Sequence, residues 1–166
     1  MINIMKIKVE KLTAEAFAPY GEVIEFASTA PDFSGDGWNC WFPVNLIKYN
    51  QAMGIGITES LKRAPIISKM ERHVDNVELL MPIKDQLIQP MGLPKDLDNP
   101  AALPDPATVK AFLLEPGQAI IMKKGAWHDA AHTLSDSTIY YFFSEKSDQV
   151  YPWVPFKDNL KIRFEL

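Results

Sequence analysis

The chain has 166 residues, 47% of them apolar and 23% charged, with a net charge of −4. That length holds one domain with a sizeable core, and the mild negative charge lacks the basic stripe of a nucleic-acid binder. No run of about 20 apolar residues is available to span a membrane, the first eleven residues lack the apolar core of a secretion signal, and a lone cysteine, Cys40, cannot close an internal disulfide, so the expected location is a reducing cytoplasm.

Residues 6–12 set Ile7 and Val9 against Lys6, Lys8 and Glu10, which predicts an amphipathic strand. Thr13 is suited to cap a single helical turn over 14–17, stopped by Pro19 and Gly21. A second strand is predicted over 21–26. Pro31, Asp32, Ser34, Gly35, Asp36 and Gly37 make 28–37 a predicted loop. Further strands are predicted over 38–44, 53–58, 64–73, 77–83 and 86–91, with turns at Tyr49-Asn50-Gln51 and Asp75-Asn76. The stretch 94–106 contains four prolines, which lack the amide hydrogen and fix φ, so it is expected as an exposed connection between two halves of a barrel. Predicted strands over 109–114 and 119–124 flank Glu115-Pro116-Gly117-Gln118, whose proline and glycine occupy the central places of a type II turn. Residues 138–144 are β-branched and aromatic and predict a central strand. Residues 160–166 alternate again and are expected to pair near the N-terminal strand. Many short strands with almost no helix predict an all-β sandwich or closed barrel.

In a small barrel alternate residues point inward, so Glu71 and His73 share a face. Glu78 is expected to enter from the adjacent strand, and His128, which follows the Gly125 strand break, from the opposite sheet. Two carboxylates and two imidazoles on one cavity suit a divalent transition metal, since imidazole favours Ni, Fe, Cu or Zn and carboxylate also admits Mn. Glu71, His73, Glu78 and His128 are therefore the candidate ligands, with Glu71, His73 and His128 as candidate acid–base groups. The plainer alternative is a surface charge cluster around a hydrogen-bonded histidine. Lys123 and Lys124 alternate faces; an inward Lys123 would pair with the carboxylate of a small anionic substrate, while two solvated lysines at a strand end are the plainer reading. Arg72 points away from its neighbours and is expected to serve structure or a dimer contact. Trp127 is expected to pack, and His132 to sit behind the site.

The run Gly117 to His128, with Lys123-Lys124-Gly125-Ala126-Trp127-His128 at its end, nearly reproduces the second signature of the cupin barrels, where that histidine is usually a metal ligand. Glu71-Arg72-His73 with Glu78 is similar to a degenerate first signature. Met70-Glu71-Arg72-His73 followed by Leu79-Leu80-Met81-Pro82-Ile83 resembles a block of the ureidoglycolate lyases. So do the opening, from Leu12-Thr13-Ala14-Glu15-Ala16-Phe17 through Tyr20-Gly21-Glu22-Val23-Ile24-Glu25, and Gly125-Ala126-Trp127-His128. The resemblance implies a cupin-like β-barrel, a double-stranded β-helix or jelly roll with little helix, as one domain over residues 1–166. It also implies a homodimer that splits (S)-ureidoglycolate into glyoxylate and urea in allantoin and purine catabolism, with a divalent metal, nickel in particular, associated with some members; the expected cofactor here is a divalent metal, Ni, Mn, Fe or Zn. Apolar Trp38 and Trp41, beside a loop, are candidate dimer anchors. The sequence departs from the family at Asp129, where a second histidine is common, at Lys123 and Lys124, where histidine or proline is common, and at Glu78, where glutamine is usual. Two other readings stand beside the lyase: a cupin isomerase or epimerase on a sugar acid or keto acid, and a non-catalytic small-ligand-binding barrel.

Overall fold

The computed structural model describes residues 3–26, 28–147 and 150–166. The strands run in order as β1 (Ile4–Lys11), β2 (Gly21–Ile24), β3 (Phe33–Gly35), β4 (Trp38–Cys40), β5 (Met53–Leu61), β6 (Ile66–Ile67), β7 (Lys69–Met70), β8 (Glu78–Pro82), β9 (Leu87–Gly92), β10 (Lys110–Leu114), β11 (Ala119–Met122), β12 (Trp127–His128), β13 (His132–Thr133), β14 (Ser137–Glu145), β15 (Val154–Pro155) and β16 (Lys161–Glu165). The one α-helical turn, α1 (Ala14–Phe17), starts where the Thr13 hydroxyl accepts the Ala16 N–H at 3.1 Å.

Two sheets carry the molecule. One orders β12-β9-β10-β1-β16-β6, with β13 also on β9; the other orders β2-β11-β8-β14-β5. Leu80, Ile120, Met122 and Tyr140 from the second sheet meet Leu87, Met91, Phe112 and Leu114 from the first in one buried cluster. Alternation sends Ile88 and Ala111 to the other face of the first sheet, into a second cluster with Ile67, Met70, Trp127, Ile162 and Phe164. Strand β9 is therefore buried on both faces, the physical reason it reads as a nearly continuous apolar run. This two-sheet, almost helix-free architecture is the cupin-like barrel the sequence implies, and β16 pairs with β1 as expected, in parallel from Ile4↔Lys161 to Lys8↔Glu165. The turn at 115–118 closes through Gln118 N–H on the Glu115 carbonyl, with Gly117 at φ +92°.

Three local expectations change. The 28–37 loop contains β3, which pairs with β4 from Phe33↔Cys40 to Gly35↔Trp38, and regular structure ends at Cys40 rather than continuing to Val44. The single strand over 64–73 is broken, because its pieces have different partners: β6 pairs with β16, β7 with β15, and Glu71 bridges to His128. The 94–106 connection carries no strand, but it is tied down from within. The buried Arg72 guanidinium donates to the carbonyls of Lys95 (2.8 Å) and Asn99 (2.7 Å) while lying 4.7 Å from the Trp127 ring centroid. Among the described residues no helix is long and apolar enough to cross a membrane.

Candidate metal centre

The site begins as a backbone juxtaposition. Glu71 and His128 exchange both N–H···O bonds at 2.9 Å, and the Gly125 N–H donates to the His73 carbonyl at 2.5 Å. Gly125 needs its positive φ of +73° and its missing side chain, since a Cβ there would meet Leu97 at 2.0 Å. The glycine break thus docks the 125–128 segment against 71–73, and one ligand atom each from Glu71, His73 and His128 falls within 4.8 Å of the others. The relation of sheets differs from the expectation. His128 shares a sheet edge with Glu71, and it is Glu78, on β8, that reaches in from the facing sheet.

All four expected ligands line one cavity of about 230 Å³, together with Thr58, Gln89, Tyr140 and Phe142. Glu78 stands outside the group of three; its Oε2 lies 3.5 Å from His73 Nε2, while His128 Nε2 lies 3.8 Å from Glu71 Oε1. His128 Nδ1 lies 3.1 Å from the Ala126 carbonyl, which must accept, so Nδ1 carries the proton and Nε2 presents its lone pair to the cavity. The His73 ring sits edge-on to Tyr151, centroids 4.3 Å apart, and the Tyr151 hydroxyl donates to Asp75 at 2.5 Å.

Burial dominates the electrostatics. It pushes the Glu78 carboxyl up to about 8, with the Glu71 charge adding to the rise, and the Glu71 carboxyl up to about 7, with Asp129 adding. Burial also drives His73 down to about 4, helped by His128, and lowers fully buried His128. Around neutrality the His73–Glu78 contact is thus between neutral partners rather than an ion pair. A cluster of two imidazole lone pairs and a carboxylate, with a second carboxyl alongside, suits a divalent cation, whose charge would favour the ionised carboxylates.

The other candidates are placed as follows. Lys123 does not reach the cavity: it is exposed, and its Nζ donates to the Ala18 carbonyl at 2.6 Å, because the strand that ends at Met122 directs it outward. Lys124 is exposed as well. Trp127 is packed in the second core cluster. His132 lies behind the site, its Nε2 3.2 Å from Asp129 Oδ2, and Arg63 holds the same carboxylate at 3.2 Å. Gln89 and Tyr140 line the cavity without having been singled out in the sequence. Gln89 was detectable as the lone side chain with hydrogen-bonding groups in the apolar run Leu87–Gly92.

A family described as Ureidoglycolate lyase matches residues 4–157. A protein of Agrobacterium fabrum (strain C58), provisionally named a ureidoglycolate lyase, is 30% identical over 139 residues, covering 79% of this chain and 77% of that one. A ureidoglycolate lyase of Pseudomonas aeruginosa (strain LESB58) is 28% identical over 138 residues, covering 77% and 76%. Among solved structures, a dTDP-4-dehydrorhamnose 3,5-epimerase from Bacillus anthracis overlaps at a TM-score of 0.49 with 13% identity, covering 66% of this chain and 63% of that one; at that distance it carries no argument about chemistry. The long match from the first strand to residue 157, with Glu71, His73 and His128 inside it, settles the kinship: this chain belongs to the ureidoglycolate lyase family.

Proposed function

We propose that the chain cleaves ureidoglycolate into glyoxylate and urea at this cavity. The observation that carries the reading is the convergence of Glu71, His73 and His128 within 4.8 Å, in a chain of this family. These three side chains are the ones that would hold a divalent ion. When bound, such an ion supplies Lewis acidity, lowering the pKa of a coordinated hydroxyl. Glu78, beside them and outside the trio, is placed to move the proton. Its carboxylate takes the proton of the substrate hydroxyl as the C=O bond forms and the C–N bond breaks. It then returns that proton to the departing nitrogen, so urea leaves neutral and Glu78 ends as it began. Without a cation, burial pushes the Glu78 carboxyl up to about 8, so at neutral pH it holds its proton; the charge of a bound cation would favour the carboxylate that the first transfer needs. Lys123 has no part, since it faces away.

The reading includes a cytoplasmic homodimer. Its support is a row on β5: Gly56 and Thr58 turn towards Phe142 and the cavity, so Met53, Ile55, Ile57 and Leu61 project from the opposite face, where they are exposed. Trp38, on β4, is also exposed, whereas Trp41 is spent inside its own arm, donating to the Thr29 carbonyl and packing edge-on against Phe26. The deciding assay is glyoxylate and urea release from ureidoglycolate by the purified protein supplied in turn with Ni²⁺, Mn²⁺, Fe²⁺ and Zn²⁺. Release in equal amounts is expected; no release with any of the four overturns the reading.

A further inference from the structure

The rim of the cavity carries a charge that the chemistry above does not use. On β14, Tyr140 and Phe142 line the cavity, and Phe142 and Ser144 line an adjoining recess that shares His73 and Glu78 with it. These positions are two apart, so they share the inward face of the strand. Ser144 stands directly opposite Glu78 in the register of β14 on β8. The same alternation makes Lys146 the next inward position. The ladder to β5 extends that far, because the Lys146 N–H donates to the Ala52 carbonyl at 2.8 Å, and Lys146 lines the recess. Among the described residues lining the cavity and the recess, the acids are Glu71, Glu78, Asp129 and Glu145, and Lys146 is the one lysine or arginine. Two of those acids are already engaged: Asp129 is held by Arg63, and Glu145 accepts the Asn50 N–H. Lys146 is exposed, and its ammonium makes no hydrogen bond or ion pair with a described residue.

We infer that Lys146 receives the carboxylate of the substrate at the rim and gives the site its preference for an anion over the corresponding neutral amide. Lys146 lies two residues beyond the row of Ser144 and Glu78, about 7 Å along the strand. The four-carbon stem of a lysine, with a carboxylate on its ammonium, spans a gap of that order. A small acid held there by one end has its other end beside His73 and Glu78, the two groups that the recess shares with the cavity. Without this charge an approaching anion would meet only acids at the entrance. With it, the opening draws the anion in, and the ion pair is formed by an ammonium that gives up no partner in the protein to make it. The plainer alternative is a solvated lysine at a strand end, which would not distinguish an anion from its amide. The inference rests on the lyase reading for the reacting substrate, but not for the preference between anion and amide.

The test compares wild type, Lys146→Met and Lys146→Arg, each supplied with Ni²⁺ or Mn²⁺. Calorimetry measures the binding of oxalurate, which carries a carboxylate, and of oxaluramide, which has a neutral amide in its place. Lys146→Met is expected to weaken oxalurate about tenfold, the worth of one charged hydrogen bond, and to leave oxaluramide within about twofold. Lys146→Arg keeps the charge and is expected to stay within about threefold of the wild type for both. Added salt should weaken oxalurate in the wild type more than in Lys146→Met. Equal losses for the two ligands, no loss for either, or no binding of oxalurate by the wild type overturns the inference. A melt confirms that each variant folds; if Lys146→Met does not, Lys146→Gln takes its place with the same expected loss. Glyoxylate release is measured alongside, where Lys146→Met should raise KM about tenfold and hold kcat within about twofold. A wild type that releases glyoxylate, with oxalurate binding indifferent to Lys146→Met, removes Lys146 alone. Selective weakening of oxalurate without any release removes the lyase reading alone.

Discussion

Glu71 and His128 are joined twice, once by reciprocal backbone hydrogen bonds of 2.9 Å and once where their side chains approach to 3.8 Å. The backbone bridge makes the side-chain approach a consequence of sheet pairing. Two directly opposed residues of an antiparallel bridge carry their Cβ atoms on the same face, about 5 Å apart. A metal site built on such a pair needs only His73, two residues on, to complete three ligands.

His128→Ala tests that arrangement. It removes one imidazole from the trio and leaves the Ala126 carbonyl without its partner. Turnover is expected to fall by ~10²-fold or more, with a stability loss of about 1–3 kcal/mol. Metal content by mass spectrometry, glyoxylate release and a thermal melt separate the two effects. A folded variant with full activity and full metal content would remove His128 from the site.

The titratable cluster sets a pH signature in protein stripped by a chelator. Glu71 and Glu78 hold their protons in the fold to about 7 and about 8 but release them near 4.5 when unfolded, so their contribution to stability falls as pH rises through that window. His73 works the other way: the unfolded chain binds its proton below 6.5 and the fold only below about 4, so stability falls as pH drops below 6.5. Buried His128 shares that sign. The opposing effects overlap between about 4.5 and 6.5. Above 6.5 only the carboxyls remain, and the melting temperature is expected to decline to about pH 8 and then level. Glu78→Gln should flatten that decline; an unchanged slope would contradict the shift. Metal uptake should release protons in the same window.

Arg72→Lys is not expected to be conservative. A lysine cannot fork to the Lys95 and Asn99 carbonyls while covering Trp127. The loss should approach about 3 kcal/mol, the upper end for leaving buried acceptors unpaired. Limited proteolysis should then cut within 94–106 well below the melting temperature. Resistance equal to the wild type would mean that the connection is held by other contacts.

Lys123→Ala is expected to leave KM and kcat for ureidoglycolate within about twofold, since its ammonium is spent on the Ala18 carbonyl at the surface. A KM raised tenfold with kcat unchanged would instead place Lys123 on the substrate carboxylate.

Ile57→Asp, on the outward row of β5, should split the proposed homodimer without touching the cavity face of that strand. A charge in the centre of an apolar contact is costly to bury. Light scattering at micromolar concentration is expected to change from two chains to one; a variant that stays dimeric would move the interface elsewhere.

The segments with regular alternation or unmistakable turn chemistry were legible from the start: the Thr13 cap, the glycine turn at 115–118, and the strands that became β1, β8, β14 and β16. Their signals are local, set by φ restrictions and side-chain period. The 64–73 stretch was misread as continuous for the converse reason. Its strand propensity is local, but its interruptions come from three partners far away in sequence, β16, β15 and His128. The β3–β4 hairpin lay inside a segment whose turn residues dominated the reading.

The sequence singled out Glu71, His73, Glu78 and His128 as the groups to carry the chemistry, and the fold brings all four to one cavity; Lys123, singled out with them, is turned to the surface. Which sheet each came from, the outward turn of Lys123 and the place of Lys146 at the rim were decided only by tertiary structure. Alternation assigns a residue to one of two faces of its own strand. Which face looks into the cavity, and what stands opposite, is set by the long-range pairing that buries Leu80, Ile120 and Phe112 between the sheets.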